Sequence, residues 1–212
     1  MLIEIFSDIV CPWCYIGKRS LDKVLDSPAG EDLELIWRPY QLYPTLPPEG
    51  IDRLAFLRAR FGKGVSSDHV PERISVEAQA VGLSFDFGAI KITPNTFQAH
   101  RMMDFAYTSG QQHALAEVLF RYYFCEGKNV GEIDVLLSAA EDVGLERGVV
   151  LEYLESDAGG EEVHRQLARA ADIDVAGVPY YLLAETFAIP GAQSPDVLTQ
   201  FITRAKERLA TA

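Results

Sequence analysis

The sequence predicts a mixed α/β chain. Its two ends join in one mixed sheet, and a large α-helical insertion separates them. Three observations lead there. The N-terminal part reads strand, helix, strand; a long middle stretch carries helical periodicity; and strand pattern returns at residue 179, ahead of a last helix.

"LIEIF" (2–6) is an apolar, β-branched run of strand length. After Cys11 the spacing turns helical. Cys14, Gly17, Leu21, Val24 and Leu25 share one face, with Lys18, Arg19, Asp22 and Lys23 elsewhere. Ser27-Pro28 ends this helix, because a residue before proline is pushed out of the α region. "LELIW" (33–37) is a second strand, and the three elements make a right-handed βαβ unit with parallel strands. Pro44, Pro47, Pro48 and Gly50 mark a loop. Helices are then expected at 51–62, 71–82, 95–110, 113–127, 132–144 and 160–173, several closed by glycine. "LSFDFGAI" (83–90) fits a loop or a short strand. "PYYLLAETFAIPG" (179–191) reads as a hairpin about Ala184-Glu185, although the turn lacks Asn-Gly. Ser194 and Pro195 mark an N-cap and a first helical position. Val197, Leu198, Phe201, Ile202, Ala205 and Leu209 form the apolar face of the last helix, and the charges of "RAKERL" its solvated face. A short parallel unit and a terminal hairpin cannot each bury both faces alone, so they share one sheet. The expected organisation is a sheet domain of residues 1–45 and 175–212, with a helical insertion domain of residues 46–174.

Composition narrows the function. Of 212 residues, 48% are hydrophobic and 24% charged, an ordinary globular balance with length for a sizeable core. The formal net charge of −12 repels phosphate backbones, so nucleic acid is not an expected partner. No stretch reaches membrane-spanning length, and "MLIEIFSDIV" has neither a basic n-region nor a small-residue cleavage site. We expect a cytoplasmic protein without a membrane partner. In a reducing compartment a Cys-x-x-Cys pair is more often catalytic or metal-binding than a lasting disulfide.

Cys11 and Cys14, in "SDIVCPWCYIGK" (7–18), are two of three cysteines. A thiolate where a strand-to-helix loop ends is stabilised by unpaired N–H groups and by the helix dipole. Pro12 suits the first helical position. Cys14 lies one turn on, within disulfide reach of Cys11 and better buried. One relatively exposed, activated sulfur beside a buried partner is what thiol–disulfide exchange needs. A zinc site wants four ligands, and only Cys125, His69, His100, His113 and His164 remain, none in a matching pair. A structural disulfide closing so small a loop removes little unfolded-state entropy. Redox chemistry is favoured; metal and structural readings stay open. In "AGVPYY" (176–181), Pro179 follows Gly177 and Val178 at a strand start. A cis Val178–Pro179 bond would leave the Val178 backbone able to pair with an extended peptide; a trans proline opening a strand is the more ordinary alternative.

"FSDIVCPWCYIGK", "GVPYYLL" and "IPGAQSPDVL" together resemble DsbA-like oxidoreductases of the thioredoxin fold. Within them the chain resembles the FrnE-like branch, near the 2-hydroxychromene-2-carboxylate isomerases. "PNTFQAHRMMDFA" and "LFRYYFCEGKNVGEIDVL" extend the similarity over nearly the whole chain. The resemblance implies a thioredoxin fold with a large helical insertion. It implies Cys11 as nucleophile, Cys14 as resolving thiol and Pro179 as a cis-proline opposite them. Many DsbA proteins carry histidine between the cysteines, where Pro12 and Trp13 stand here, so a strongly oxidising potential is not expected.

The expected function is thiol–disulfide oxidoreduction on protein or small-molecule thiols and disulfides. No metal or organic cofactor is implied, and glutathione or another thiol would act as co-substrate. The alternative is a glutathione-dependent isomerase or transferase on a small aromatic or polyketide-like substrate; a third is a redox-inert binding module. Trp13 either offers an aromatic surface to substrate or has no special role. Val178 joins Pro179 as an expected substrate contact. His100 either faces the active-site groove or bonds locally on its helix. Cys125 is expected to be a buried core cysteine.

Overall fold

The chain is described by a computed structural model covering residues 1–211. In order it forms β1 (Leu2–Ser7), α1 (Pro12–Leu25), β2 (Glu34–Pro39), β3 (Ile51–Asp52), α2 (Arg53–Phe61), α3 (Glu72–Ala80), β4 (Ile92–Thr93) and α4 (Phe97–Phe105). There follow α5 (Gln112–Phe124), α6 (Ile133–Asp142), α7 (Arg147–Glu155), α8 (Gly160–Asp172), β5 (Tyr180–Leu183), β6 (Phe187–Pro190) and α9 (Pro195–Ala210). β1 runs parallel to β2 and antiparallel to β5, which pairs antiparallel with β6, giving one mixed sheet of order β2-β1-β5-β6.

Alternation along β1 decides what covers each face. Ile3 and Ile5 enter a core with Leu21 and Val24 of α1, Leu198, Ile202 and Ala205 of α9, and Tyr181 and Leu183 of β5. That core continues without a break into α4, α5 and α6, through residues such as Met102, Leu119 and Leu136. Phe6 points the other way, into a small cluster with Leu182, Ala170 and Val175, beneath α8. Glu4 shares that second face and is 1% exposed. Its carboxylate accepts from Arg38 Nε at 2.7 Å, from Arg169 Nη2 at 2.7 Å and from Arg169 Nη1. A helix of the inserted block is thus fastened to the strand that leads to the cysteines.

On the opposite side, Lys18 of α1 is buried, not on a solvated face. Its Nζ lies 3.0 Å from Asp22 and 2.9 Å from Glu117 of α5. Tyr15 donates to Glu117 at 2.8 Å, and His113 Nε2 is 2.8 Å from Asp22.

The structure departs from the expectations in instructive places. α7 lies outside the expected helices: only Val150 and Leu154 on it are fully buried, too thin a stripe to read. Its N-cap is Glu146, accepting from Gly148 N and Val149 N at 2.9 Å, where Ser, Thr, Asp or Asn is the usual signal. The two-residue strands β3 and β4 pair antiparallel and are too short to show alternation; β3 takes the start of the expected 51–62 helix. Residues 83–90 form a loop, held where Asp86 N donates to Phe124 O at 2.8 Å. On α9 a narrow stripe of Leu198, Ile202 and Ala205 is buried, while Phe201 and Leu209 flank it in solvent. Lys206 is not simply solvated, since its ammonium donates to Ala29 O at 3.1 Å. The hairpin turn places Ala184 and Glu185 at φ 47° and 56°, a left-handed pair built without Asn or Gly.

Glu4 makes a testable link between pH and stability. Burial alone would raise its carboxyl, but the hydrogen bonds and charges of Arg169 and Arg38 outweigh burial and hold it below the usual range. A lowered folded-state value contributes stability above the unfolded value, and that stability is lost as pH falls through the folded one. Glu4→Gln should therefore destabilise by about 1.5–3 kcal/mol at pH 7, the loss of charged hydrogen bonds, and should lose less additional stability than wild type below about pH 4. Urea melts at pH 7 and pH 3 measure both; identical acid sensitivity in the two proteins would remove Glu4 from the account.

Candidate active site

The β1–β5 register sets the site. Phe6 pairs with Tyr180, so the backbone just before β5 arrives beside the loop just after β1. Cys11 is the N-cap of α1 with extended backbone (φ −94°, ψ 110°), and Pro12 fills the first helical position. Cys11 N donates to Asp8 O at 3.0 Å, and Cys11 O accepts from Cys14 N at 3.0 Å. The Cys11 thiol donates to Val178 O at 3.5 Å. The Val178–Pro179 peptide bond is cis. Among the described residues the Val178 N–H makes no backbone hydrogen bond.

Gly17 explains how β5 comes so near α1. A Cβ at Gly17 would collide with the Tyr181 hydroxyl and lie 3.0 Å from Pro179 Cγ. The absent side chain gives both residues their place against the cysteine helix. Tyr181 is fully buried and its hydroxyl has no hydrogen-bond partner among the described residues.

The two cysteines differ in surroundings. Cys11 is 4% exposed and Cys14 1%, so the expectation of a relatively exposed Cys11 is corrected: both are buried, Cys14 more fully. The loop 8–10 and the Val178 carbonyl close over the helix start. Burial pushes the Cys14 thiol well up, its contact with Cys11 raises it further, and the Ser7 hydroxyl and the Asp8 backbone oppose the rise. Ser7 continues the Ile3–Ile5 face of β1, which is why it meets α1. Nothing in "FSDIV" marks that serine; only its position two residues beyond an inward-facing isoleucine does.

Two clefts flank the Cys-Pro-Trp-Cys turn. One, of about 350 Å³, is lined by Trp13, Ile16, Arg73, Glu77 and the 192–195 loop. There Trp13 lies half-buried with the Arg73 guanidinium 5.2 Å from its ring centroid. The other, of about 160 Å³, begins at Val10 and Pro12 and runs between Tyr43, Phe56, Phe87 and Tyr123. Trp13 does not line this second cleft.

His100 lines neither of these clefts. It is buried, with Nε2 2.9 Å from Tyr40 O and 3.4 Å from Asp8 Oδ1, and Asp8 Oδ2 accepts from Leu42 N at 2.7 Å. It stands beside the loop that carries Cys11, bonded to Tyr40 O just after β2 and near Asp8 just after β1, rather than to a side chain of its own helix. Cys125 is the C-cap of α5 and half-buried, which corrects the expectation of a core cysteine. Its thiol is pushed up by burial and by the neighbouring Glu117 and Glu126. Among the described residues no three His, Cys, Asp or Glu side chains cluster as an ion site, and no helix is long and apolar enough to cross a membrane.

Known proteins share this fold. The structure of a probable DsbA oxidoreductase, SCO1869 of Streptomyces coelicolor, is 29% identical with a TM-score of 0.84, covering 98% of this chain and 90% of that one. A 2-hydroxychromene-2-carboxylate isomerase has the same fold at 20% identity and a TM-score of 0.69, covering 99% of this chain and 96% of that one. The cytosolic disulfide reductase DsbM of Pseudomonas aeruginosa, solved with GSH, does so at 17% identity and a TM-score of 0.69, over 99% of this chain and all of that one. Residues 2–203 match the DSBA-like thioredoxin domain, and the chain belongs to that family, a thioredoxin-like fold with a helical insertion.

Proposed function

We propose that this chain is a dithiol–disulfide oxidoreductase in which Cys11 is the nucleophile and Cys14 the resolving thiol. The observation that carries the reading is the asymmetry within one helical turn. Cys11 is the cap of α1, in contact with Val178, and Cys14 is the deeper thiol, held protonated by burial and by Cys11. The Cys11 thiolate attacks a substrate disulfide, forming a mixed disulfide and releasing one thiol. Cys14 then loses its proton and attacks the Cys11 sulfur, forming the Cys11–Cys14 disulfide and releasing the second thiol. Two electrons pass to the substrate, and a thiol donor returns the protein to the dithiol. Run backwards, the same steps oxidise substrate thiols.

Likeness to a cytosolic disulfide reductase solved with GSH supports a glutathione-class donor and a cytoplasmic setting. Val178 and Pro179 are assigned to hold the substrate beside Cys11, by the unpaired Val178 N–H. Likeness to an isomerase favours a second reading, in which the site activates glutathione for isomerisation of a small aromatic substrate. That chemistry needs a polar group at position 11 and leaves Cys14 dispensable.

Three outcomes separate these readings. Cys14→Ser should accumulate mixed disulfides with substrate or glutathione, and Cys11→Ser should not; thiol trapping with mass spectrometry reads this, and equal trapping in both variants would overturn the role assignment. Cys11→Ser/Cys14→Ala should lose insulin reduction completely and gain no chromene-carboxylate isomerisation. If that variant isomerises as well as wild type, and neither reduces insulin, the second reading replaces the first. The resolving step should accelerate with pH across about 7 to 9, because burial keeps Cys14 protonated beyond the ordinary thiol value of about 8.5. Rapid-quench measurement of Cys11–Cys14 disulfide formation tests it, and a rate already level at pH 7 contradicts it.

A further inference from the structure

The cleft that begins at Val10 and Pro12 holds a charge without a partner. Arg53 lines it and is 9% exposed. Among the described residues the Arg53 side chain donates no hydrogen bond, no carboxylate lies within 4 Å of it, and its Nε is fully buried and unpartnered. Its nearest compensation is the Phe87 ring, whose centroid is 5.4 Å from the guanidinium carbon. Thr93, 2% exposed, lines the same cleft with its hydroxyl buried beside that of Tyr123.

This is not how the chain treats buried charge elsewhere. Glu4 is met by two arginines, and Lys18 by two carboxylates. Arg101, as buried as Cys11, donates to the carbonyls of Tyr153, Leu154, Ser156 and Ala158 and to Gln98 Oε1. A buried guanidinium without partners is costly, and the cost is removed when an anion occupies the space in front of it. The surroundings favour such an anion. Residues 51–63 carry Arg53, Arg58, Arg60 and Lys63 against Asp52 alone, in a chain of net charge −12. Arg60 sits over the rim residue Tyr43, its guanidinium carbon 5.7 Å from the ring centroid, and His69 also borders the opening.

The walls specify the rest of the ligand. Tyr43, Phe56, Leu57, Phe87 and Tyr123 leave a space of about 160 Å³. A cavity of about 150 Å³ takes one benzene ring. A ring held there with an acid group toward Arg53 and Thr93 shares the cleft with Pro12, next to Cys11 in the chain.

We propose that this cleft is a binding site for a small organic acid, one aromatic or apolar ring bearing a carboxylate, and that it selects carboxylated aryl thiols or disulfides for Cys11. The carboxylate pairs with Arg53 and accepts from Thr93, and the ring stacks among the aromatic walls. The sulfur step rests on the oxidoreductase reading. The Cys11 thiolate bonds to one sulfur of an aryl disulfide and the S–S bond breaks, releasing an aryl thiolate. Cys14 then closes the protein disulfide and releases the second aryl thiol, so the ligand gains two electrons that the cysteine pair loses. The acid site itself needs only the cleft.

Two measurements separate these parts. The first compares 5,5′-dithiobis(2-nitrobenzoate), which carries carboxylates, with uncharged 4,4′-dithiodipyridine as substrates at fixed ionic strength. Arg53→Gln should lower kcat/KM for the carboxylated disulfide by about tenfold or more, chiefly through KM, and leave the uncharged one within about twofold. Arg53→Lys should retain part of the preference. Arg58→Gln makes the same charge change on an exposed residue of the same helix, where solvent screens it, and should change the ratio far less than Arg53→Gln does. The second measurement titrates 4-(methylthio)benzoate and its neutral amide into Cys11→Ser/Cys14→Ser protein by calorimetry. The acid should bind saturably and the amide at least about tenfold more weakly. Equal binding of acid and amide, or loss of both disulfide activities together in a folded Arg53→Gln protein, overturns the acid site. Should wild type reduce neither disulfide while the double variant still prefers the acid, the redox reading fails and the acid site stands.

Discussion

Antiparallel pairing of β1 with β5 is the contact on which the candidate site depends. It joins two ends of the chain that the helical block holds far apart in sequence. With Ile5 opposite Tyr181 and Phe6 opposite Tyr180, the Val178 carbonyl falls on the Cys11 sulfur and the Tyr181 hydroxyl falls on Gly17. Side chains alternate along a strand, so a slip of one residue would send Tyr181 to the face of Phe6 and Leu182 and bring Tyr180 onto α1. Gly17 guards against that slip and against a looser packing, because only a residue without Cβ accepts Tyr181 and Pro179 together. The register is therefore fixed from two directions, by hydrogen bonds along the strand and by a steric match across to the helix.

Charge secures the same arrangement from outside the apolar core. Arg169 reaches from α8 to Glu4 on one face of the sheet, and Glu117 reaches from α5 to Lys18 on the other. Each link joins the helical block to an element that ends or begins near Cys11. Buried ion pairs contribute little net stability compared with apolar contacts, but removing one partner leaves a charge stranded. Their effect here is to favour one docking of the block, since any other would cost Glu4 its Arg169 partner and Lys18 its Glu117 partner. Arg53 stands apart from this logic, and that is why it reads as a ligand contact when the other buried charges read as fasteners.

Much of this was legible in residue order. The strand at 2–6, the helix after Cys11, the parallel return at 33–37 and the hairpin around Ala184-Glu185 all follow from local pattern, and so does the capped last helix at Ser194. What escaped is what depends on depth. Phe201 and Leu209 fit the apolar face by period, yet the helix packs by a narrower stripe. Lys18 and Arg53 look like solvent-facing charges in amphipathic helices, and no spacing rule distinguishes them from Lys23 or Arg58. Of the site, Cys11 and Cys14 could be read because their chemistry is rare, while Ser7, Tyr181 and Thr93 could not, because alternation gives the face of a strand hydroxyl but not the groups that it will meet there. His100 had two readings open; its bond to Tyr40 O and its place beside Asp8 put it in support of the loop.

The two residues between the cysteines show how the work around Cys11 is divided. Pro12 supplies no N–H and begins the helix, while its ring forms the entrance of the narrow cleft. Trp13 turns to the other side, under Arg73. Neither side chain offers a proton donor or a positive charge to the sulfur. What surrounds Cys11 is backbone: the start of α1, the Asp8 carbonyl on its own amide, and the Val178 carbonyl on its thiol. A site built from backbone is held by whatever holds the backbone, here Asp8 with its bond from Leu42 N, and the β1–β5 register behind Val178. Selectivity is then free to reside away from the sulfurs, in the clefts on either side of the turn, where side chains differ without altering the geometry of exchange.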